Sequence, residues 1–233
     1  MTYQTITYTL DAGVATIALN RPEVMNALSR QMRADLLHAV ERSATEARVL
    51  VLTGSGRAFC SGQDLGDAAA VGALELENIL NEEYVPLLKA ITDSPIPTIS
   101  AVNGAAAGAG ANLALAADVV IATESASFIQ AFTRIGLVPD AGGSYWLPRQ
   151  IGLARAMGAI LFADKITARQ AVDWGMIYEC VPDLDFAAHI AARAQGLAAG
   201  PTVAYRGVKT ALRASSSNDL DAQLALEARL QGE

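Results

Sequence analysis

Pro97-Thr-Ile-Ser-Ala-Val102, Asn103-Gly-Ala-Ala-Ala-Gly-Ala-Gly-Ala-Asn112 and Ile135-Gly-Leu-Val-Pro-Asp-Ala-Gly-Gly143 frame the stretch that decides the fold. The first segment reads as a short apolar strand, and the second as a glycine/alanine loop that runs straight into a helix. No bulky side chain occurs from Gly104 to Ala111, so another group approaches the backbone closely there. A helix opening at the end of such a loop offers unpaired N–H groups and the positive end of its dipole. That is a place to hold a negative oxygen.

Outward from this stretch, strands and helices alternate. Thr5–Leu10 and Val14–Leu19 read as a hairpin around Asp11-Ala12-Gly13, and Ser29 as the N-cap of a helix with an apolar face at Met32, Leu36 and Val40. Val49–Thr53 has the valine-rich look of a buried parallel strand. The run from Gly54 to Leu65 reads as a loop, and 76–92 as a helix. Asp118–Ala122 is a further strand. From Ser144 onward the reading is mostly helical, over 153–162, 167–174, 186–197, 202–212 and 220–230, with Thr167 and Pro201 marking starts. The fold class expected is α/β with a helical tail.

Composition narrows the function. Of 233 residues, 52% are hydrophobic and 18% charged, which excludes wholesale disorder. The net charge of −7, with no lysine or arginine block, argues against nucleic acid or an anionic membrane as partner. Cys60 and Cys180 lack metal-type spacing and read as free thiols of a reducing compartment. His38 and His189 stand alone within helical patterns, so a structural or solvent-facing role is expected for both. The N-terminus has no signal-peptide pattern and no run reaches membrane-spanning length, giving the expectation of a soluble, cytoplasmic protein.

Two glycine turns precede helices, Cys60-Ser-Gly-Gln-Asp-Leu65 and Gly108-Ala-Gly110. Each can supply one backbone N–H, and two converging donors form an oxyanion hole for charge developing on a carbonyl oxygen. Ordinary strand-to-helix turns would use the same glycines for geometry alone. Neither turn is a P-loop or a dinucleotide fingerprint.

Four ordered motifs carry a resemblance: Asn20-Arg-Pro-Glu-Val-Met-Asn-Ala-Leu28, Ala58-Phe-Cys-Ser-Gly-Gln-Asp-Leu65, Ala101-Val-Asn-Gly-Ala-Ala-Ala-Gly-Ala-Gly110 and Gly136-Leu-Val-Pro-Asp-Ala-Gly-Gly143. Together they resemble the crotonase (enoyl-CoA hydratase/isomerase) family across essentially the whole chain. The resemblance implies a spiral of ββα units over residues 1–197, carrying the acyl-CoA site. It implies a C-terminal helical region, 198–233, for oligomerisation and pocket cover, and assembly as a trimer or dimer of trimers. Its ligand would be an acyl thioester of coenzyme A, with no cofactor beyond that coenzyme A moiety. The backbone N–H groups of Gln63 and Ala109 would form the oxyanion hole. Met25, Ala27, Gln63, Asp64, Leu65 and Gly66 would line the coenzyme A pocket. Family members usually continue past Gln231-Gly-Glu233 with another helix over the acyl pocket.

Departures from the family pattern point to the chemistry. Hydratases of the family carry two glutamates, which would fall at Asn112 and Phe132 in the substrate pocket, and neither is a carboxylate here. Without an acid/base pair, addition of water loses both activation of water and proton delivery. Asp140 remains, among Val138, Pro139, Ala141 and Gly142, where its ionisation should be suppressed. A single base suffices to move a double bond. The competing role for Asp140 is a helix N-cap. Asn112 either contacts substrate or satisfies backbone groups. The run 128–143, with Leu147-Pro-Arg149 and Ala154-Arg-Ala-Met-Gly158, is most similar to the family's 1,2-epoxyphenylacetyl-CoA isomerases. A dehalogenase would need a histidine before the Pro97 strand, and none lies between His38 and His189. The expected activity is therefore acyl-CoA isomerisation, by double-bond migration or epoxide opening. Enoyl-CoA hydration and non-catalytic acyl-CoA binding are the alternatives.

Overall fold

Valine, isoleucine and leucine runs with no polar alternation bury both faces of a strand, and such strands assemble in parallel. The computed structural model, which describes residues 2–64, 66 and 73–233, follows this rule. A hairpin of β1 (Ile6–Asp11) and β2 (Val14–Leu19) opens the chain, turning through Ala12 and Gly13 at positive φ. Then come α1 (Arg30–Glu46), β3 (Val49–Gly54), β4 (Ala58–Cys60), α2 (Ala73–Ile79) and α3 (Val85–Thr92). Next are β5 (Thr98–Val102), β6 (Ala105–Ala107), α4 (Ala109–Leu115), β7 (Val119–Thr123) and β8 (Ser127–Ile129). The remainder is α5 (Gly143–Phe162), β9 (Ile166–Thr167), α6 (Ala168–Asp173), β10 (Glu179–Val181), α7 (Phe186–Ala199), α8 (Thr202–Ala214) and α9 (Leu220–Gln231).

One sheet runs β1-β2-β3-β5-β7-β10 and a second runs β4-β6-β8-β9. In the first, β2, β3, β5, β7 and β10 are parallel, and only the β1 hairpin is antiparallel. The pairs β3/β4, β5/β6 and β7/β8 repeat one plan: a long strand in the first sheet, a short one in the second, then a helix. This is the ββα spiral the resemblance implies. Side chains between the layers, including Phe59, Leu52, Leu113 and Phe128, form the main core.

The second sheet corrects the sequence reading. β4 lies inside the segment read as a 54–65 loop, and β6 inside the glycine/alanine loop. Three-residue strands made of alanine carry too little periodicity to register. They pair because the glycines between strands permit contact: a Cβ on Gly104 would stand 2.2 Å from the Arg57 carbonyl oxygen.

The helical tail differs as well. α5 begins ten residues before the expected start at Leu153, because Gly152 (φ 76, ψ 160) kinks it and only the second half shows a clean pattern. β10 falls between the helices read at 167–174 and 186–197, where no strand is expected. Ser29 and Thr167 do cap their helices, the latter in a reciprocal capping box with Gln170. Among the described residues, no helix is long and apolar enough to cross a membrane.

Candidate functional site

Three successive ββα units send their strand-to-helix junctions to one cavity of about 660 Å³, a size ordinary for small-molecule sites. The junction after β4 brings Gly62, Gln63 and Asp64. The junction after β6 brings Gly108 and Ala109, and the one after β8 brings Phe132, Leu137 and Asp140. Apart from Ser61 and these carboxyl and amide groups the wall is apolar, with Val24, Ile79, Leu80 and Ile135 among its members.

The two turns touch. Gly62 sits at φ +95, and a Cβ there would lie 2.8 Å from the Ala107 carbonyl oxygen and 3.5 Å from the Ala109 nitrogen. Gly108 sits at φ 52 and ψ −128, a backbone conformation that glycine alone adopts easily. Glycine at 110 is required too, because a Cβ would stand 2.4 Å from the Cys60 carbonyl oxygen. The Gly62 carbonyl accepts from Leu28 N–H at 2.8 Å and the Asp64 N–H donates to the Leu28 carbonyl at 3.3 Å, which straddles Gln63 in a bridge to Leu28. The N–H groups of Gln63 and Ala109 have no acceptor among the described residues. The sequence therefore builds two neighbouring unpaired donors at a cavity wall, the geometry an oxyanion requires.

Asp140 faces the same cavity, and its capping role is excluded. Gly142 holds the N-cap position of α5 without a side-chain bond, and the Gly143 N–H reaches the Asp140 carbonyl oxygen at 2.9 Å, not the carboxylate. The Asp140 Oδ1 is buried with no hydrogen-bond partner. Burial pushes this carboxyl up to about 6, opposed only by its own backbone N–H. The burial arises differently from the sequence expectation, since Val138 is 80% exposed. The cavity wall supplies it instead. A left-handed pair, Ala141 (φ 47) and Gly142 (φ 83), turns the chain so that Asp140 points inward.

Phe132 lines the cavity, its ring 3.7 Å from where a Cβ on Gly108 would be. Asn112 does not line it, which corrects its placement in the substrate pocket. It is fully buried: its Nδ2 donates to the Asp140 carbonyl at 2.8 Å, and its Oδ1 accepts from Gln130 Nε2 at 2.8 Å. Of the open alternatives, the structure selects satisfaction of backbone groups, and the group it satisfies is that of the acid itself.

Among the expected coenzyme A residues, Ala27 and Asp64 reach the cavity. Met25 (φ 52) and the exposed Gly66 do not line it, and Leu65 lies outside the described residues. Asp64 is paired with Arg21 at 2.7 Å. His38 bonds the Tyr3 hydroxyl at 2.8 Å and His189 contacts Glu179, both outside the cavity lining.

Three residues escaped the sequence reading. Asn26, fully buried, ties the first motif to β4 through bonds to the carbonyls of Ala58 (2.8 Å) and Phe59 (3.2 Å). Arg33 and Tyr84 are buried beneath Gln63. A signal existed for Arg33, three residues before Leu36 and seven before Val40, on the flank of the apolar face of α1.

Comparison with known proteins accords with this geometry. Residues 9–233 match the family described as enoyl-CoA hydratase/isomerase. The chain is 65% identical over its whole length to a protein of Rhodobacter capsulatus named probable enoyl-CoA hydratase, covering 90% of it. It is 45% identical, over 94% of itself and 85% of the relative, to 1,2-epoxyphenylacetyl-CoA isomerase of Escherichia coli. A crystal structure of an enoyl-CoA hydratase from Bacillus anthracis superposes with a TM-score of 0.94 at 31% identity, covering 98% of this chain and 90% of that one. A family match over residues 9–233, joined to two glycine-built turns and the ββα spiral, means that this chain is an enzyme of the enoyl-CoA hydratase/isomerase family.

Proposed function

We propose that the protein is an acyl-CoA isomerase. One observation carries this reading: Asp140, with a buried carboxyl oxygen that has no partner, shares a cavity with two free N–H donors, while the positions of the hydratase glutamates hold Asn112 and Phe132 and the other lining carboxyl, Asp64, is paired with Arg21. The thioester oxygen sits against the Gln63 and Ala109 N–H groups, which stabilise the enolate as it forms. Asp140 takes a proton from the carbon next to the thioester and returns it two carbons further along, moving the double bond between them. A carboxyl that ionises near 6 is matched to both halves of this transfer. Isomerisation of an epoxide β,γ to the thioester carbonyl, the position that the name of the Escherichia coli relative gives, would use the same enolate-stabilising donors.

Coenzyme A would lie along Ala27 and Asp64, which line the cavity. Assembly into trimers or paired trimers belongs to the same proposal, supported by the large apolar side chains that α5 leaves open at Leu153, Leu161 and Phe162.

Hydration is the second reading, favoured by the name of the Rhodobacter capsulatus relative. Supplying 3-enoyl-CoA and 2-enoyl-CoA separately and following absorbance and mass distinguishes the two. Migration without mass change is expected. A gain of one water from 2-enoyl-CoA would replace isomerisation with hydration, and binding without turnover would make the site a carrier.

A further inference from the structure

A buried polar cluster lies behind the donor cradle, and the proton transfer does not use it. Arg33, 2% exposed, donates from Nη1 to the Leu28 carbonyl at 2.6 Å and to Gln63 Oε1 at 3.1 Å. The Tyr84 hydroxyl donates to the same Gln63 oxygen. Glu83 neutralises Arg33 at 2.7 Å, and the guanidinium lies 5.0 Å from the Tyr84 ring centre. Glu83 and Tyr84 belong to a π-helical turn, Leu80–Tyr84, between α2 and α3. Fitting an extra residue into one turn reduces the rotation between successive side chains, so both adjacent residues face α1 and Gln63. Such turns cost helix regularity and gather at functional sites.

A backbone donor makes no demand on its side chain, yet here that side chain accepts two bonds from α1 and the π turn. The peptide that carries the Gln63 N–H is joined to Gly62, a residue whose backbone rotates freely. Leu28 holds the carbonyl end of this peptide and the Asp64 N–H of the next one, and the Gln63 side chain supplies a third tether between them. We infer that Tyr84 and Arg33 are positioning residues for the oxyanion hole, fixing the aim of the Gln63 N–H by clamping its side chain. Arg33 grips both strands of the Leu28–Gln63 bridge, and Tyr84 closes the remaining rotation. This inference rests on the proposed role of the Gln63 and Ala109 donors.

The test separates the two claims. Hexanoyl-CoA labelled with carbon-13 at the thioester carbonyl is bound to the full chain, and its carbonyl stretch is read by difference infrared spectroscopy. In the unaltered protein the band should move to lower frequency; an unmoved band would overturn the oxyanion hole itself. Tyr84→Phe should lose most of that displacement, lowering kcat about tenfold on 3-enoyl-CoA and holding KM within about twofold. A fully retained displacement in Tyr84→Phe would overturn the inference while leaving the hole standing. Gln63→Met, which keeps the N–H and removes the acceptor, should give the same loss. The double variant should be no worse than either single one, whereas additive losses would show that the two side chains act separately. Circular dichroism reports whether each variant folds. Should Tyr84→Phe fail to fold, Gln63→Met decides, and an intact band displacement there overturns the clamp.

Discussion

The donor cradle and the Asp140 wall face one cavity but are held in opposite ways. Gln63 and Ala109 are placed by main chain: strand pairing of β4 with β6, a bridge to Leu28, and glycines where any Cβ would collide. Asp140 instead hangs from an irregular turn, secured by the left-handed Ala141–Gly142 pair and one amide of Asn112. Charge stabilisation needs rigid dipoles, so it is written mainly in backbone and glycine, with the Gln63 side chain as an added tether. Proton transfer needs one chemical group at one tuned acidity, so it is written in a side chain and its burial.

The comparison breaks most readily at the acid. Asp140→Asn should lower kcat by about 10³-fold, within the range for loss of an acid/base group, while acyl-CoA affinity changes less than about twofold. Steady-state rates and calorimetry measure the pair, and full activity in this variant would end the proposed mechanism. Next comes the cradle. Gly62→Ala sets a methyl 2.8 Å from the Ala107 carbonyl at a φ of +95, and should cost about 10²-fold in kcat. A variant as fast as the parent would show that charge is stabilised elsewhere.

Asn112→Ala acts through support. It removes one donor from the Asp140 carbonyl and one acceptor from Gln130, so it should cost about tenfold in kcat and about 1–3 kcal/mol of stability in urea. Unchanged urea midpoints would mean the amide pair carries no net stability.

The smallest effect sharpens the electrostatics. Asp140 ionises at about 6 in the fold against 3.8 for an unperturbed aspartate, so the folded state prefers the protonated form. Ionising it costs stability: nothing below about pH 4, increasingly up to pH 6, and fully above that. Asp140→Asn should therefore stabilise the protein by about 1–3 kcal/mol at pH 8 and by nearly nothing at pH 4. By the same shift, kcat/KM of the unaltered enzyme should rise through about pH 6 as the base loses its proton. A gain in melting temperature equal at both pH values would remove the desolvation argument.

Much of this was legible in the chain. Apolar runs at 49–54 and 98–102 mark buried parallel strands, and the glycine turns at 62 and 108–110 mark the donors. The second sheet was not legible, because Ala105–Ala107 pairs by contact distance and shows no alternation. Asp140 could be found by its position, but the cause of its burial could not. Its neighbour Val138 faces solvent, and the cavity wall around Asp140 combines Ile135 and Leu137 with Val24, Ile79 and Leu80 from distant parts of the chain. Tyr84 looked like one more apolar residue of a helix, and only the π turn reveals its inward direction toward Gln63.

Asn112 also limits which relatives this molecule can become. Its amide donates a hydrogen bond to one neighbour and accepts one from another, with Gly143 packed so close that a Cβ there would touch the Asp140-facing nitrogen at 2.4 Å. A glutamate at 112 would offer only lone pairs to a carbonyl that needs a donor, in a space already full. A single codon change therefore cannot reinstall paired-carboxylate water chemistry. Phe132 would have to change as well, and the turn bearing Asp140 would lose the amide that supports it.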